Sequence, residues 1–416
     1  MEVLEEINNH YNTIVIGGGA AGFFTAINVA EKHPALSVAI LERGKTGLQK
    51  VKISGGGRCN VTHAEFTPSA LVTNYPRGEK ELLGPFHKFM TGDTISWFED
   101  RGVALKIEDD GRVFPISNTS QTIIDCFLNQ AKTHHVNVLY SQSVQNIAHI
   151  PQSKSVGLES GFLITTNQTS FTCKNLVVAT GSNPKIWSLL NHLGHTIIPP
   201  VPSLFTFDIK DKRIKDIPGV VAKNVEINVV GTNLTSNGPL LITHVGMSAP
   251  AILKLSAFGA IELAKLLYNF KIEINFIGQD FEVCLNKLKD FKLAFAKKLI
   301  SNSIQFELPK RLWKKLVEAA NIEDTLHWAD CNKEQLNALA HQLTRAIFKV
   351  TGKSTFKEEF VTAGGVDLKE INFTTFESKL IPNLYLAGEI LNIDAITGGF
   401  NFQNAWTNGF VIANSI

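Results

Sequence analysis

The chain has 416 residues, 40 Lys and Arg against 38 Asp and Glu, a formal charge of +2, and 44% hydrophobic residues. At about 100–200 residues per domain, two or three folded units are expected, with little room for long disordered tails. The near-neutral balance argues against nucleic acid as the main partner. Five cysteines (Cys59, Cys126, Cys173, Cys284, Cys331) are far apart and form no C-x-x-C, so neither a disulfide framework nor a zinc site is expected, and a reducing, cytoplasmic setting fits best. The histidines show no H-E-x-x-H spacing; His134-His135 reads as a solvated pair, and no metal is expected.

Two charge-free stretches test as membrane spans. Residues 11–30 are interrupted by Gly17-Gly18-Gly19 and preceded by Glu5-Glu6. Residues 395–416 carry Asn401, Gln403, Asn404, Asn408 and Asn414, which are too polar for a lipid-facing helix. Both read as buried parts of a protein with no membrane partner.

Taken in chain order, residues 13–16 form a short strand, three glycines follow, residues 20–31 read as a helix and residues 37–41 as a second buried strand: a β-α-β unit with its turn at Gly17 to Gly22. Helices are expected over 91–101 and 120–133, the second capped by Asn118 or Thr119. Short strands over 136–139, 143–150, 161–166 and 175–179 suggest a meander returning to a parallel sheet. Prolines then cluster between residues 195 and 276, and runs 204–209 and 225–230 suggest a small β-domain, a barrel in form. Residues 281–350 look helical and basic. Nine cations from Lys287 to Lys315 face only Asp290 and Glu307, while Leu288, Phe291, Phe295 and Leu299 keep helical spacing. The basic side reads as a solvated outer face. The chain returns to a strand at 384–387 and a helix from about residue 401, so both ends are expected to build one nucleotide-binding domain around an inserted middle.

Gly17-x-Gly19-x-x-Gly22 has the dinucleotide-binding spacing: the first glycine permits the turn, the second admits a pyrophosphate, and the third lets helix pack on strand. The helix start offers free N–H groups to phosphate. Glu42 ends the second strand, twenty residues past Gly22, where a carboxylate accepts from ribose hydroxyls and repels a 2′-phosphate; FAD or NAD is therefore expected over NADP. Lys52-Ile53-Ser54-Gly55-Gly56-Gly57-Arg58-Cys59-Asn60 is the second dense motif. Its glycines expose main-chain N–H groups, Arg58 suits a phosphate, and Asn60 suits a flavin ring edge. Cys59 reads as a packed or flavin-adjacent thiol. Ala179-Thr180-Gly181 and Gly388-Glu389 each close a strand beside the cofactor. Gly399-Phe400-Asn401 begins a helix whose positive end favours a reduced flavin.

These motifs resemble those of the BaiN/YhiN-like bacterial FAD flavoproteins. The resemblance rests on Gly17-Gly18-Gly19-Ala20-Ala21-Gly22, the Ser54-to-Thr62 motif, Asp110-Gly111-Arg112-Val113-Phe114-Pro115, Thr243-His244-Val245-Gly246-Met247-Ser248-Ala249-Pro250-Ala251 and residues 384–403, and it covers nearly the whole chain. It implies an α/β fold: a Rossmann-like, glutathione-reductase-like FAD domain (1–193 and 351–416) split by an insert containing a β-barrel (194–276 with part of 335–350) and a helical subdomain (277–334). It also implies non-covalent FAD and reductase chemistry, on steroid-like enones in at least one member. Ala249 stands where that family usually has glycine, and Leu391-Asn392 replaces a more common acidic ending.

The residues expected to hold FAD are Gly17, Gly19, Ala20, Ala21 and Gly22, with Glu42 and Arg43 at the end of the second strand. Ser54, Gly57, Arg58, Cys59 and Asn60 form a second group. Val144, Ala179, Thr180 and Gly181 form a third, and Gly388, Glu389, Gly399, Phe400 and Asn401 a fourth. The function expected is an FAD-dependent oxidoreductase exchanging hydride between flavin N5 and a small organic substrate held between domain and insert, an enone being one such substrate. His244 and Arg112 are the candidates for proton donation or carbonyl polarisation. No second G-x-G-x-x-G follows a strand, so NAD(P)H is expected only as a transient donor. Two other readings are an RNA-associated or regulatory flavin-binding protein that uses the basic helical insert as its partner surface, and a fumarate-reductase-type dehydrogenase.

Overall fold

Thr13, Ile14, Val15 and Ile16 are each 3% exposed or less, as β-branched residues are in a strand covered on both faces. They lie in β1 (His10–Ile16), at the centre of a parallel sheet. The computed structural model describes residues 9–151, 160–354 and 361–416; Glu5 and Glu6 lie outside them. The chain divides into two units, Met1–Pro200 with Val361–Ile416, and Val201–Phe360.

In the first unit, α1 (Ala20–Lys32) follows the Gly17 turn and leads to β2 (Val38–Leu41), which pairs parallel to β1 from Thr13↔Val38 to Ile16↔Leu41. Next come α2 (Gln49–Gly57) and a small antiparallel sheet of β3 (Thr62–His63), β4 (Leu105–Ile107) and β5 (Arg112–Pro115). Then α3 (Ser120–Thr133), capped by the Thr119 hydroxyl accepting from Gln121 N, leads to β6 (Asn137–Leu139), parallel to β2. A meander of β7 (Val144–Ile150), β8 (Gly161–Thr166) and β9 (Ser170–Val178) returns to the centre. β9 is longer than the expected 175–179 because its first half is paired as well: Ser170 to Cys173 lie antiparallel to β8, and the strand runs parallel to β1 from Thr172 to Val178. The strand Leu384–Leu386 joins β9 on its far side, giving the parallel order β6-β2-β1-β9 and then Leu384–Leu386. This is a Rossmann-type order, with its switch point between β1 and β9.

The charge-free tail forms the buried helix Phe400–Ala413. A β-carbon on Gly409 would lie 2.9 Å from Thr25 Oγ1, so this helix packs closely on α1. Its amides are paired, which removes the cost of burying them. Gln403 Oε1 accepts from Thr62 and Thr94 hydroxyls at 2.6 and 2.9 Å, and Asn408 Oδ1 accepts from Gly388 N at 2.8 Å.

The second unit contains a closed six-stranded antiparallel barrel. Its strands are β10 (Thr206–Ile209), β11 (Val221–Val229), β12 (Thr235–Ile242), β13 (Gly246–Ser248), β14 (Phe270–Asn275) and β15 (Ala346–Ser354), in the order β10-β13-β12-β11-β14-β15. Helices α4 (Pro250–Phe258), α5 (Phe281–Ala294), α6 (Lys310–Ala319) and α7 (Lys333–Thr344) belong to the same unit. One expectation is corrected. Residues 346–350 are strand rather than helix, because Ala346, Phe348 and Val350 point inward with a period of two. In the second glycine motif α2 breaks at Ser54 (ψ 149°), and Gly55, Gly56 and Gly57 all adopt positive φ.

Candidate cofactor site

Ligands of parallel α/β sheets bind outside the carboxyl ends of the strands, at the switch point. Here Gly17 follows the last residue of β1 and Ala179 the last residue of β9. Gly17 adopts φ +109°, and a β-carbon there would sit 2.5 Å from Ala179 O; one on Gly22 would sit 1.9 Å from Gly17 O. Only glycine permits this turn and the entry of α1. Gly19 differs, since a β-carbon on it would meet nothing within 4 Å. The α1 start it caps has no side-chain cap and no acid in its first turn, leaving its N–H groups facing open space.

Each Glu42 oxygen takes one main-chain N–H, Gly18 N at 2.8 Å and Gly44 N at 2.7 Å, so the carboxylate is fixed with lone pairs to spare. Glu42 lines a cleft with Gly17, Arg43, Val144 and Thr180, which brings together five of the expected residues. The Thr180 hydroxyl in that wall is buried without a partner. A buried hydroxyl pays its desolvation cost unless something bonds to it. An adenine dinucleotide, with phosphates for the helix start and hydroxyls for Glu42 and Thr180, fits this donor and acceptor set.

A second cluster joins Ala21, Gly181, Gly388 and Glu389. A β-carbon on Gly388 would lie 3.3 Å from Ala21 Cβ, and one on Gly181 would lie 3.7 Å from Glu389 Oε2. Glu389 pairs with Lys50 at 2.5 Å. Lys50 was missed from sequence; its only signal is a cation in the helix that runs into the glycine motif.

The Ser54-to-Asn60 motif splits in two. Gly56 and Gly57 face open space, as a ligand-facing loop requires. Arg58 and Cys59 are held by protein contacts. The Arg58 guanidinium stacks 3.8 Å over the Phe114 ring and donates to Glu108 at 2.7 Å. Cys59 is fully buried, and burial pushes its thiol up to about 12, which disfavours the thiolate that redox chemistry needs. Asn60 Oδ1 accepts from Val113 N at 3.3 Å, tying the motif to β5. Arg112 donates to Asp110 at 2.7 Å and lies 3.7 Å from Glu108, which therefore collects Arg58 and Arg112 on one carboxylate. Sequence reading missed Glu108.

The start of the last helix lies against β3. A β-carbon on Gly399 would come within 2.7 Å of the Thr62 main chain, and the Phe400 ring stacks on His63 with centroids 4.6 Å apart. Asn401 Oδ1 accepts from Ala395 N at 3.0 Å, so this side chain holds the preceding turn. The helix start is uncapped and lacks an acid in its first turn. His244 lies in the second unit, exposed on the turn between β12 and β13, and its ring has no hydrogen-bond partner among the described residues. Among the described residues, no helix is long and apolar enough to cross a membrane.

A Rossmann-type sheet with a glycine turn at its switch point, an acid on the second strand and an open helix start defines an adenine-dinucleotide-binding protein, and its family makes it a flavoprotein of the FAD oxidoreductase class. The chain belongs to the HI0933-like family: the HI0933-like protein Rossmann domain profile matches residues 11–415. It is 28% identical over 424 residues to a ribosomal RNA dihydrouridine synthase of Haemophilus influenzae, covering 99% of each chain. It is 25% identical over 419 residues to a 3-dehydro-bile acid delta(4,6)-reductase of Clostridium scindens, covering 95% of this chain and 97% of the reductase. In fold it is similar to 3-ketosteroid delta1-dehydrogenase from Sterolibacterium denitrificans, with a TM-score of 0.51 at 12% identity over 98% of this chain and 99% of that one.

Proposed function

We propose that this protein saturates a carbon–carbon double bond conjugated to a carbonyl, and that the bond is the C5=C6 bond of a uracil base in RNA. The reading rests on the end-to-end likeness to the Haemophilus influenzae ribosomal RNA dihydrouridine synthase, since dihydrouridine is uridine reduced at that bond. The bile-acid reductase supports the same chemistry with a different acceptor. Charge distribution supports an RNA acceptor: residues 201–360 carry 22 Lys and Arg against 17 Asp and Glu, while the rest carries 18 against 21. Of the nine cations between residues 287 and 315, Lys315 alone has an acidic partner among the described residues.

Bound FAD supplies hydride at its N5 position. The groups around Gly19, Glu42, Thr180 and Gly57 bind and orient it. The polypeptide must also deliver a proton to the carbon next to the carbonyl. His244 is the proposed donor, an exposed imidazole with no competing hydrogen bond. Arg112, held by Asp110 and Glu108, is assigned a bracing role. NAD(P)H, bound transiently, is the proposed electron source.

A small steroid-like enone is the second reading, favoured by the bile-acid reductase. Nucleoside mass spectrometry of ribosomal RNA from cells lacking this gene separates the two. The proposal expects one dihydrouridine to vanish and to return with the gene; ribosomal RNA unchanged by the deletion selects the second reading.

A further inference from the structure

We propose that a cleft within the second unit binds a nucleotide of the single-stranded RNA substrate other than the reacting uridine. This rests on the RNA reading above and adds a site to it. The cleft holds about 500 Å³, within the range of small-ligand pockets, and lies where α5, the turn after β14 and the segment before α6 meet the edge of β11.

Two backbone irregularities converge on it. In β11, Ala222 pairs with Leu240 and Val225 with Gly238, so Lys223 and Asn224 both oppose Pro239. Proline has no N–H for the ladder, and the resulting bulge turns two polar side chains toward the cleft. On the opposite wall Phe306 and Glu307 are consecutive left-handed residues, at φ 59° and 57°. Neither is glycine, so this conformation is costly and is the kind retained at binding sites. The turn between the walls is held by Asn275, whose Oδ1 accepts from Ile277 N and Gly278 N at 3.2 and 3.0 Å.

The lining chemistry suits a nucleotide. Phe291 and Phe306, 5.5 Å apart and edge to face, offer ring surface to a base. Lys223 and Lys287 have no acidic partner among the described residues, and Lys287 donates only to Gln279, 2.9 Å away. They are free to bond a phosphate. Asp290 and Glu307 are acceptors, which favours a base with an exocyclic amino group, namely adenine, guanine or cytosine. Uracil lacks that group, so the occupant is a nucleotide other than the reacting uridine.

The test is fluorescence anisotropy of holoenzyme with a labelled single-stranded RNA, comparing wild type with Lys223→Glu/Lys287→Glu, and competition by AMP, GMP, CMP and UMP. Both lysines are exposed, and unchanged flavin absorbance and melting temperature verify the fold. The expected result is a roughly tenfold or greater rise in Kd and a shallower salt dependence, by about 1 in the slope of log K. AMP, GMP or CMP should compete and UMP should not. An unchanged Kd and slope overturn the proposal, as does UMP competing as well as AMP. Dihydrouridine formation, assayed separately, distinguishes the two failures. If product forms and the variant binds normally, this site alone is wrong; if the variant binds weakly and wild type forms no product, the function reading is wrong and the site stands.

Discussion

The main-chain oxygen of Ala179 lies 2.5 Å from the place a β-carbon on Gly17 would occupy, so the ends of β1 and β9 touch through a glycine. Two residues later the constraint is reversed, for Gly19 has open space around it.

That contrast predicts different outcomes for two similar substitutions. Gly17→Ala meets main chain and keeps φ +109°, and should destabilise the apoprotein by about 2 kcal/mol or more. Gly19→Ala has φ −94° and free space, and should cost less than about 1 kcal/mol of stability. It should nonetheless weaken FAD roughly tenfold or more by blocking the approach of phosphate. Calorimetry of the apoproteins and fluorescence titration with FAD check both.

Ala249 caps α4 at φ 79°, ψ 177°, a conformation natural to glycine and strained for alanine. Ala249→Gly should stabilise the protein by about 1 kcal/mol, read as a higher urea midpoint with an unchanged slope.

Cys59 is expected to be chemically silent. Burial pushes its thiol up to about 12, and all five cysteines are buried. The native protein at pH 8 should show no fast thiol reacting with a disulfide reagent, and Cys59→Ser should keep bound flavin and turnover. A fast-reacting native thiol that Cys59→Ser abolishes would contradict this.

Glu370 gives a pH dependence of stability. Burial raises its carboxyl, but hydrogen bonds from Thr196 and His195 outweigh that and hold it below the ordinary 4.5. A carboxylate depressed by folding contributes stability above its unfolded pKa, and that contribution fades as pH falls through the lower folded value. Stability should therefore drop below about pH 4.5, less steeply in Glu370→Gln, as acid titration followed by circular dichroism will measure.

The parallel sheet, the glycine turn and the Glu42 strand were legible because they are local: a β-branched run, a glycine spacing and an acid at fixed distance. The buried amide tail was legible from the absence of charge. Strand β12 was hidden, since Thr235-Ser236-Asn237-Gly238-Pro239 has turn composition and pairs only through the barrel. The near-neutral total concealed opposite balances in the two units. The partners of Arg58, Glu108 and Phe114, were not legible because they lie some fifty residues away and meet it only after β4 and β5 fold. Lys50 and Glu389 are 339 residues apart, with the whole second unit between them in sequence, and no local pattern connects them.

The most direct test is anaerobic. The purified holoenzyme is reduced with one equivalent of NADPH or NADH and mixed with ribosomal RNA from cells lacking the gene; flavin absorbance is followed and the RNA nucleosides are analysed. The account predicts that the yellow absorbance returns with formation of an equivalent of dihydrouridine. Flavin that stays bleached with this RNA and recovers with a conjugated steroid ketone would contradict it.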